Sequence, residues 1–190
     1  MIEISERTTP MGDVRIAVRE KRLVGLAFVE GWLRVDQHLL RRFPDDDFCE
    51  PDAVSEAAEL LDAYMAGELE ALDRLAIDTG GTSFQRRIWS AIRTVAPCQT
   101  LSYAELARTA GAPKAARAAG SACGANPIWV VIPCHRIVSG DGGLGHYGGG
   151  LERKRWLLDH ERQHARGPAP TDVIDAKANG RSTSDGSGSS

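Results

Sequence analysis

Residues 126–138, Asn126-Pro-Ile-Trp-Val-Val-Ile-Pro-Cys-His-Arg-Ile-Val138, decide how the rest of the chain is read. The apolar run 128–132 predicts a buried strand, and the rigid ring of Pro133 delivers Cys134 and His135 at its end. Buried strands that end in a reactive polar pair are where α/β proteins place chemistry. A thiol becomes a strong nucleophile only as thiolate, and a neighbouring imidazole is the usual means of removing its proton. The alternative for an isolated Cys-His pair is a structural cysteine beside a histidine that closes a turn.

Upstream of this stretch, Thr82 predicts the cap of a helix that runs through Phe84, Ile88, Trp89 and Ile92 to about residue 95, where Pro97 ends it. Ser102 caps a second, short helix over 103–109. Gly111-Ala-Pro113 then turns the chain into a third helix over 114–124, which makes a helix-turn-helix. One face of this third helix is Ala115, Ala118, Ala119 and Ala122, and the adjacent face is Arg117, Gly120, Ser121 and Gly124. So thin a helix either packs closely on another helix or approaches a nucleic-acid backbone with Arg117 as its one long projection. A slim surface suits the minor groove, which is only about 6 Å wide. Asn126, before Pro127, reads as a turn former.

Downstream, the glycine-rich residues 142–150 lack the strand–GxGxxG–helix context and a P-loop lysine, and read as a flap over a pocket. On a predicted helix over 152–162, Glu161 shares the apolar face of Leu157 and Leu158. A glutamate on that face needs a partner, and an imidazole is expected.

The first 80 residues look different. Residues 13–19 and 22–30 predict a β-hairpin around Glu20-Lys21. Apolar residues at 54, 57, 58, 61 and 65 predict a helix over 52–66 closed by Gly67, and 75–77 reads as one more strand. No catalytic constellation is visible there, so a scaffold is expected. Charge divides at the same point: residues 1–80 hold 9 Lys/Arg against 18 Asp/Glu, whereas residues 81–167 hold 12 against 5. The basic half therefore suits a polyanionic partner.

The fold class expected is α/β (α+β). A small N-terminal α/β domain, 1–80, precedes a mainly helical domain, 81–166, with the helix-turn-helix and the active-site strand. A disordered tail, 167–190, is rich in Gly, Ser, Thr and Asp. The four cysteines are widely spaced, without a CxxC pair, and no apolar run reaches 18 residues. A reducing cytoplasm, no disulfide framework, no membrane segment and no signal peptide are expected.

Taken together, these residues resemble the O6-alkylguanine-DNA alkyltransferases, the methylated-DNA–protein-cysteine methyltransferases of direct-reversal repair. The motif Ile132-Pro-Cys-His-Arg-Ile-Val138 is similar to the family's acceptor site. The likeness extends through 102–107, 114–119, Asn126-Pro127, 147–150 and 153–161, with Phe84 and Trp89 fitting the helix before them. It is strong over about residues 82–162 and looser over 1–81.

The resemblance implies that Cys134 accepts the alkyl group, that His135 draws its proton through a water, and that Glu161 orients the imidazole. It implies that Asn126 holds the turn between recognition helix and active-site strand. Arg117 would fill the base stack after the alkylated guanine leaves it, and Tyr103 would crowd that nucleotide's phosphate. Ala104 would offer a backbone N–H to a phosphate, with Gly120 and Ser121 along the same DNA-facing surface. Tyr147, Gly148 and Ile137 would line the substrate pocket, the Gly148 N–H meeting guanine O6 with Lys154 close by; Trp129, on the strand that should line it, either faces the pocket or turns outward as ordinary core. The implied partner is double-stranded DNA carrying O6-alkylguanine, bound through its minor groove by a monomer, with no cofactor and no metal.

Three positions depart from the family pattern. Cys98 stands where glycine is common, Gly148 where serine is frequent, and Trp129 where some relatives have proline. The competing readings are an alkyltransferase-like protein that binds the lesion without chemistry, a helix-turn-helix regulator, and a cysteine hydrolase. Cys134 argues against the first. A regulator rarely couples to a Pro-Cys-His strand end, and a hydrolase needs an oxyanion hole and a remote histidine.

Overall fold

The computed structural model describes residues 1–51 and 53–165. The tail expected to be disordered lies outside them. Three antiparallel strands open the chain: β1 (Ile2–Thr9), β2 (Gly12–Arg19) and β3 (Arg22–Phe28). A short β4 (Phe48–Cys49) adds parallel to β1, which gives the order β3-β2-β1-β4. The predicted hairpin is β2–β3. Its two turn residues, Glu20 and Lys21, have φ of 49° and 60°, the backbone that matches a two-residue turn to the right-handed twist of the strands.

Two helices pair with this sheet. α1 (Trp32–Arg42) buries Trp32, Val35 and Leu39 at i, i+3 and i+7, and sequence patterning did not find it because Leu33 and Leu40 point outward. α2 (Glu56–Met65) starts later than expected, at the point where the Ser55 hydroxyl accepts the Ala58 N–H. Residues 75–77 make only one bridge, Ile77 to Leu23, rather than a strand.

The second half follows its caps. Thr82 and Gln85 close a capping box on α3 (Ser83–Arg93), and Ser102 and Glu105 close another on α4 (Tyr103–Thr109). After a turn with Gly111 at φ +71°, α5 (Ala116–Gly124) forms the second limb of the helix-turn-helix. Its inner face is narrower than expected: Ala119 and Ala122 are buried, Ala115 is half-buried and Ala118 is exposed. The thin face lets Trp89 of α3 come close enough for its indole N–H to donate to the Ala122 carbonyl at 2.9 Å. A long α6 (Leu151–His164) completes this half. Among the described residues no helix is long and apolar enough to cross a membrane.

Residues 128–132 are buried, as expected, but they are not a strand. Ile128 makes a single parallel bridge with Leu26, after which the chain coils tightly. Val130 sits at φ +67°, and the Ile132 N–H returns to the Ile128 carbonyl at 3.0 Å. Cys134–Arg136 then form a 3-10 turn, and the strand proper is β6 (Ile137–Val138), parallel to β5 (Leu101–Ser102). An apolar run signals burial without specifying the path of the backbone. Here local turns and the Asn126 side chain satisfy the buried amides in place of a ladder.

One hydrophobic core runs through both halves. At their junction the Leu26 N–H donates to the Pro127 carbonyl at 3.0 Å, and the Trp129 N–H donates to the Leu26 carbonyl at 2.7 Å. The Trp129 indole presses on the backbone of Gly31, where a Cβ would lie 2.4 Å from Cη2. Gly31→Ala should therefore lower the unfolding free energy by about 1–3 kcal/mol through overpacking. Urea unfolding followed by tryptophan fluorescence measures this, and an unchanged midpoint would show that the indole has room to move.

Candidate active site

The Cys134 thiol sits in the 3-10 turn, buried, with the Asn126 side-chain N–H at 3.3 Å from its sulfur. The same amide donates to the Ile132 carbonyl at 2.9 Å, while the Asn126 side-chain oxygen accepts the Ile128 N–H at 2.9 Å. One side chain thus pins both ends of the coil that presents the sulfur.

His135, fully buried, contacts the Glu161 carboxylate through Nε2 at 2.8 Å. An ionised carboxylate only accepts, so Nε2 carries the hydrogen and Nδ1 keeps a free lone pair. That Nδ1 is buried and has no hydrogen-bond partner among the described residues. The expected imidazole partner of Glu161 is therefore present.

Glu161 has further partners that sequence reasoning missed. Arg136 donates from Nη2 at 2.8 Å and from Nε at 3.0 Å to Oε1. The Tyr64 hydroxyl donates to Oε1 at 3.0 Å, and the Cys98 N–H donates to Oε2 at 3.1 Å. Arg136 lies inside the motif but reads there as a solvated cation. Tyr64 lies on the apolar face of α2, three residues beyond Leu61, where it reads as core.

Electrostatics follow from this arrangement. Burial pushes the Cys134 thiol up, opposed by the Asn126 hydrogen bond and by the positive charges of Lys154 and Arg34. Burial pushes His135 down, opposed by Glu161. At neutral pH the resting pair is thiol and neutral imidazole. Burial alone would raise the Glu161 carboxyl, but His135 and Arg136 outweigh it and hold the group well below the usual carboxylate range. Lys154 is buried and lowered to about 8. Its ammonium donates to the Ile137 carbonyl at 2.5 Å, with the His146 carbonyl at 3.5 Å.

The remaining candidate residues form two groups. Tyr147 is buried with its ring edge-on to His135 at 6.3 Å, and Trp129 lies 6.1 Å from Tyr147. Gly148 abuts the same indole, and Ile137 is buried on β6. The second group lies along the helix-turn-helix. Arg117 and Ser121 are exposed on α5, Ala104 is exposed at the start of α4, and Gly120 faces the Tyr103 ring. The Tyr103 hydroxyl donates to the His146 carbonyl at 3.4 Å, so this ring bridges α5 and the glycine-rich loop.

Residues 83–163 match the family model described as 6-O-methylguanine DNA methyltransferase, DNA binding domain. The methylated-DNA–protein-cysteine methyltransferase of Mycolicibacterium paratuberculosis is 40% identical over 183 residues, covering 92% of this chain and 100% of that one. This chain belongs to the methylated-DNA–protein-cysteine methyltransferase family.

The Salmonella typhimurium member is 40% identical over 80% of this chain and 91% of its own. Among solved structures, Mycobacterium tuberculosis OGT in complex with DNA superposes with a TM-score of 0.73 at 37% identity, over 86% of this chain and 94% of that one. The O6-methylguanine-DNA methyltransferase of Pyrococcus kodakaraensis gives 0.66 at 27% identity, over 85% and 99%.

The departures from the family pattern have physical reasons here. Cys98 sits at φ +64°, a backbone that favours glycine, and in that conformation it offers its N–H to Glu161. Gly148 and Trp129 fit each other. A Cβ on Gly148 would lie 3.0 Å from the indole and 3.1 Å from the Arg34 guanidinium.

Glu161→Gln leaves the buried Arg136 without its counter-charge and should lower the unfolding free energy by about 3–5 kcal/mol. The folded-state pKa of Glu161 lies below its ordinary value of 4.5, so its stabilisation is present above pH 4.5 and is lost as pH falls below it. Wild-type stability should therefore decline below pH 4.5 more steeply than that of the variant. Denaturant titrations from pH 7 down to pH 3 measure both slopes, and parallel curves would contradict the assigned charge.

Proposed function

We propose that this protein repairs DNA by direct reversal, moving the alkyl group of O6-alkylguanine, and of O4-alkylthymine, onto Cys134. Family membership supports DNA repair by alkyl transfer. The observation that carries the finer reading is the buried Cys134 thiol followed in the chain by a histidine whose Nε2 is committed to Glu161. His135 Nδ1 takes the thiol proton through one water. The sulfur then attacks the alkyl carbon, a C–S bond forms, and the C–O6 bond breaks with its electron pair going to the guanine. That anion accepts a hydrogen bond from the Gly148 N–H, beside Lys154, and becomes neutral by regaining the proton the thiol gave up. The product is a thioether, which no group at the site is equipped to cleave, so one molecule repairs one lesion.

A paired base cannot reach a buried sulfur, so the nucleotide leaves the duplex at a cost of a few kcal/mol. Arg117 fills the vacated stack, Tyr103 crowds the phosphate, and the Ala104 N–H binds a phosphate. Gly120 and Ser121 lie along a slim surface that enters the minor groove, and the basic domain, residues 81–166, meets the phosphates as a monomer in the cytoplasm. The acidic domain, residues 1–80, serves as its scaffold.

Incubation with duplex DNA containing O6-methylguanine should add about 14 Da to Cys134 alone, the increment of one methyl replacing a proton. Intact-mass and peptide mass spectrometry read this. Cys134→Ala should abolish the gain while Cys49→Ser and Cys123→Ser retain it, and transfer in Cys134→Ala would refute the assignment.

Arg117→Ala should slow repair of duplex DNA about tenfold or more, because the flipped state loses its filler. Reaction with the free base O6-methylguanine should stay within about twofold, since no stack has to be filled. Single-turnover rates on both substrates decide it. Equal losses would implicate Arg117 in folding or in the chemical step.

A further inference from the structure

The loop that carries Tyr147 and Gly148 contains three consecutive glycines, 148–150, and these three bring no side chains to hold their shape. Glycine loses more backbone freedom on ordering than any other residue, so contacts from outside these three residues have to hold them. Tyr103 and Lys154 reach the His146 carbonyl before the glycines, and at the glycines themselves the holding side chain is Arg153 of α6. Arg153 donates from Nη1 to the Gly149 carbonyl at 3.3 Å, from Nε to the Met11 carbonyl at 2.8 Å, and from Nη2 to Glu30 at 2.8 Å. Its guanidinium carbon stands 4.1 Å from the centre of the Phe28 ring. Gly149 in turn rests on that ring, where a Cβ would meet Phe28 at 3.1 Å and Tyr147 at 2.8 Å. The hairpin tip leaves space for the clamp because Gly12 has no side chain; a Cβ there would come within 3.0 Å of Nη2. A rigid planar fork with five donors can make these contacts at once, whereas a lysine offers one point of attachment.

We propose that Arg153 is a positioning residue for the alkylated base: it sets the Tyr147–Gly149 loop by tying Gly149 to Met11, Phe28 and Glu30 of the N-terminal half. This rests on the reading of Cys134 as acceptor and of Gly148 as the guanine contact. The N-terminal half, which carries no catalytic group of its own in that reading, thereby governs whether the guanine is held at the sulfur.

Two methyl donors test the assignment. Iodomethane alkylates Cys134 without any base to hold: the C–S bond forms, iodide leaves, and the thiol proton passes to His135. O6-methylguanine in duplex DNA needs the loop. Arg153→Met should reduce the limiting transfer rate from saturating DNA about tenfold or more while the iodomethane rate stays within about twofold, since a displaced loop misplaces only the guanine. DNA affinity should be unchanged. Arg153→Lys should recover only a fraction of the loss. Glu30→Gln, at an exposed carboxylate, should lower the DNA rate about threefold with the iodomethane rate unchanged.

Equal falls with both donors, or no fall with either, would overturn the proposal. If Arg153→Met does not fold, Glu30→Gln decides the matter, and full transfer in that variant overturns it. A wild-type protein that takes methyl from iodomethane but none from DNA would overturn the proposed function itself, and this role with it.

Discussion

The geometry around the Cys134 thiol depends on one buried charge, the carboxylate of Glu161. A carboxylate removed from water costs several kcal/mol unless it is both paired and hydrogen-bonded. Here Arg136 supplies the opposite charge, while Tyr64, Cys98 and His135 supply the remaining donors. These groups come from α2, the loop before β5, and the 3-10 turn. Satisfying one anion therefore fixes three segments against α6 at once. The same contact selects the imidazole tautomer, because an acceptor-only partner forces the hydrogen onto Nε2 and leaves Nδ1 with its lone pair free.

Local chemistry is what the sequence makes legible. Thr82 and Ser102 form capping boxes with residues three positions on, so α3 and α4 start where their residues say. The partner of Glu161 is legible because a carboxylate on an apolar helix face demands one. Arg136 and Tyr64 are not, since a cation beside a histidine and a tyrosine on a core face each have ordinary readings that only the docking of α2 on α6 displaces. The run 128–132 misleads in an instructive way. Continuous apolarity reports burial, and nothing in it separates a strand from a coil whose amides are satisfied by Asn126. β1 escapes notice because most of its side chains are polar and incompletely buried, so alternation is weak.

Close approach between the halves relies on what is missing from three glycines as much as on what is present in one tryptophan. The Trp129 indole is flanked by Gly31 and Gly148, stands 5.9 Å from Phe28, and donates its N–H to the Asn126 carbonyl. Asn126 also touches the thiol, so the ring that joins the halves is one residue away from the Cys134 sulfur. Gly149 packs on Phe28 in the same way. The two departures at 129 and 148 are thus a single fit of large against small.

Burial of Cys134 has a consequence for the economy of the molecule. On the proposed chemistry each chain carries one charge of ammunition. A sulfur kept as thiolate at rest would discharge onto any passing oxidant or electrophile, leaving a folded, DNA-competent protein with nothing to deliver. Desolvation holds the thiol protonated, and the neighbouring Cys123, pushed up to about 12 by the same effect, is equally unprovoked. The protein is dormant by default. On that chemistry a base that fills the pocket and completes the proton path speeds the transfer, so the low dielectric that burdens catalysis also slows misfire.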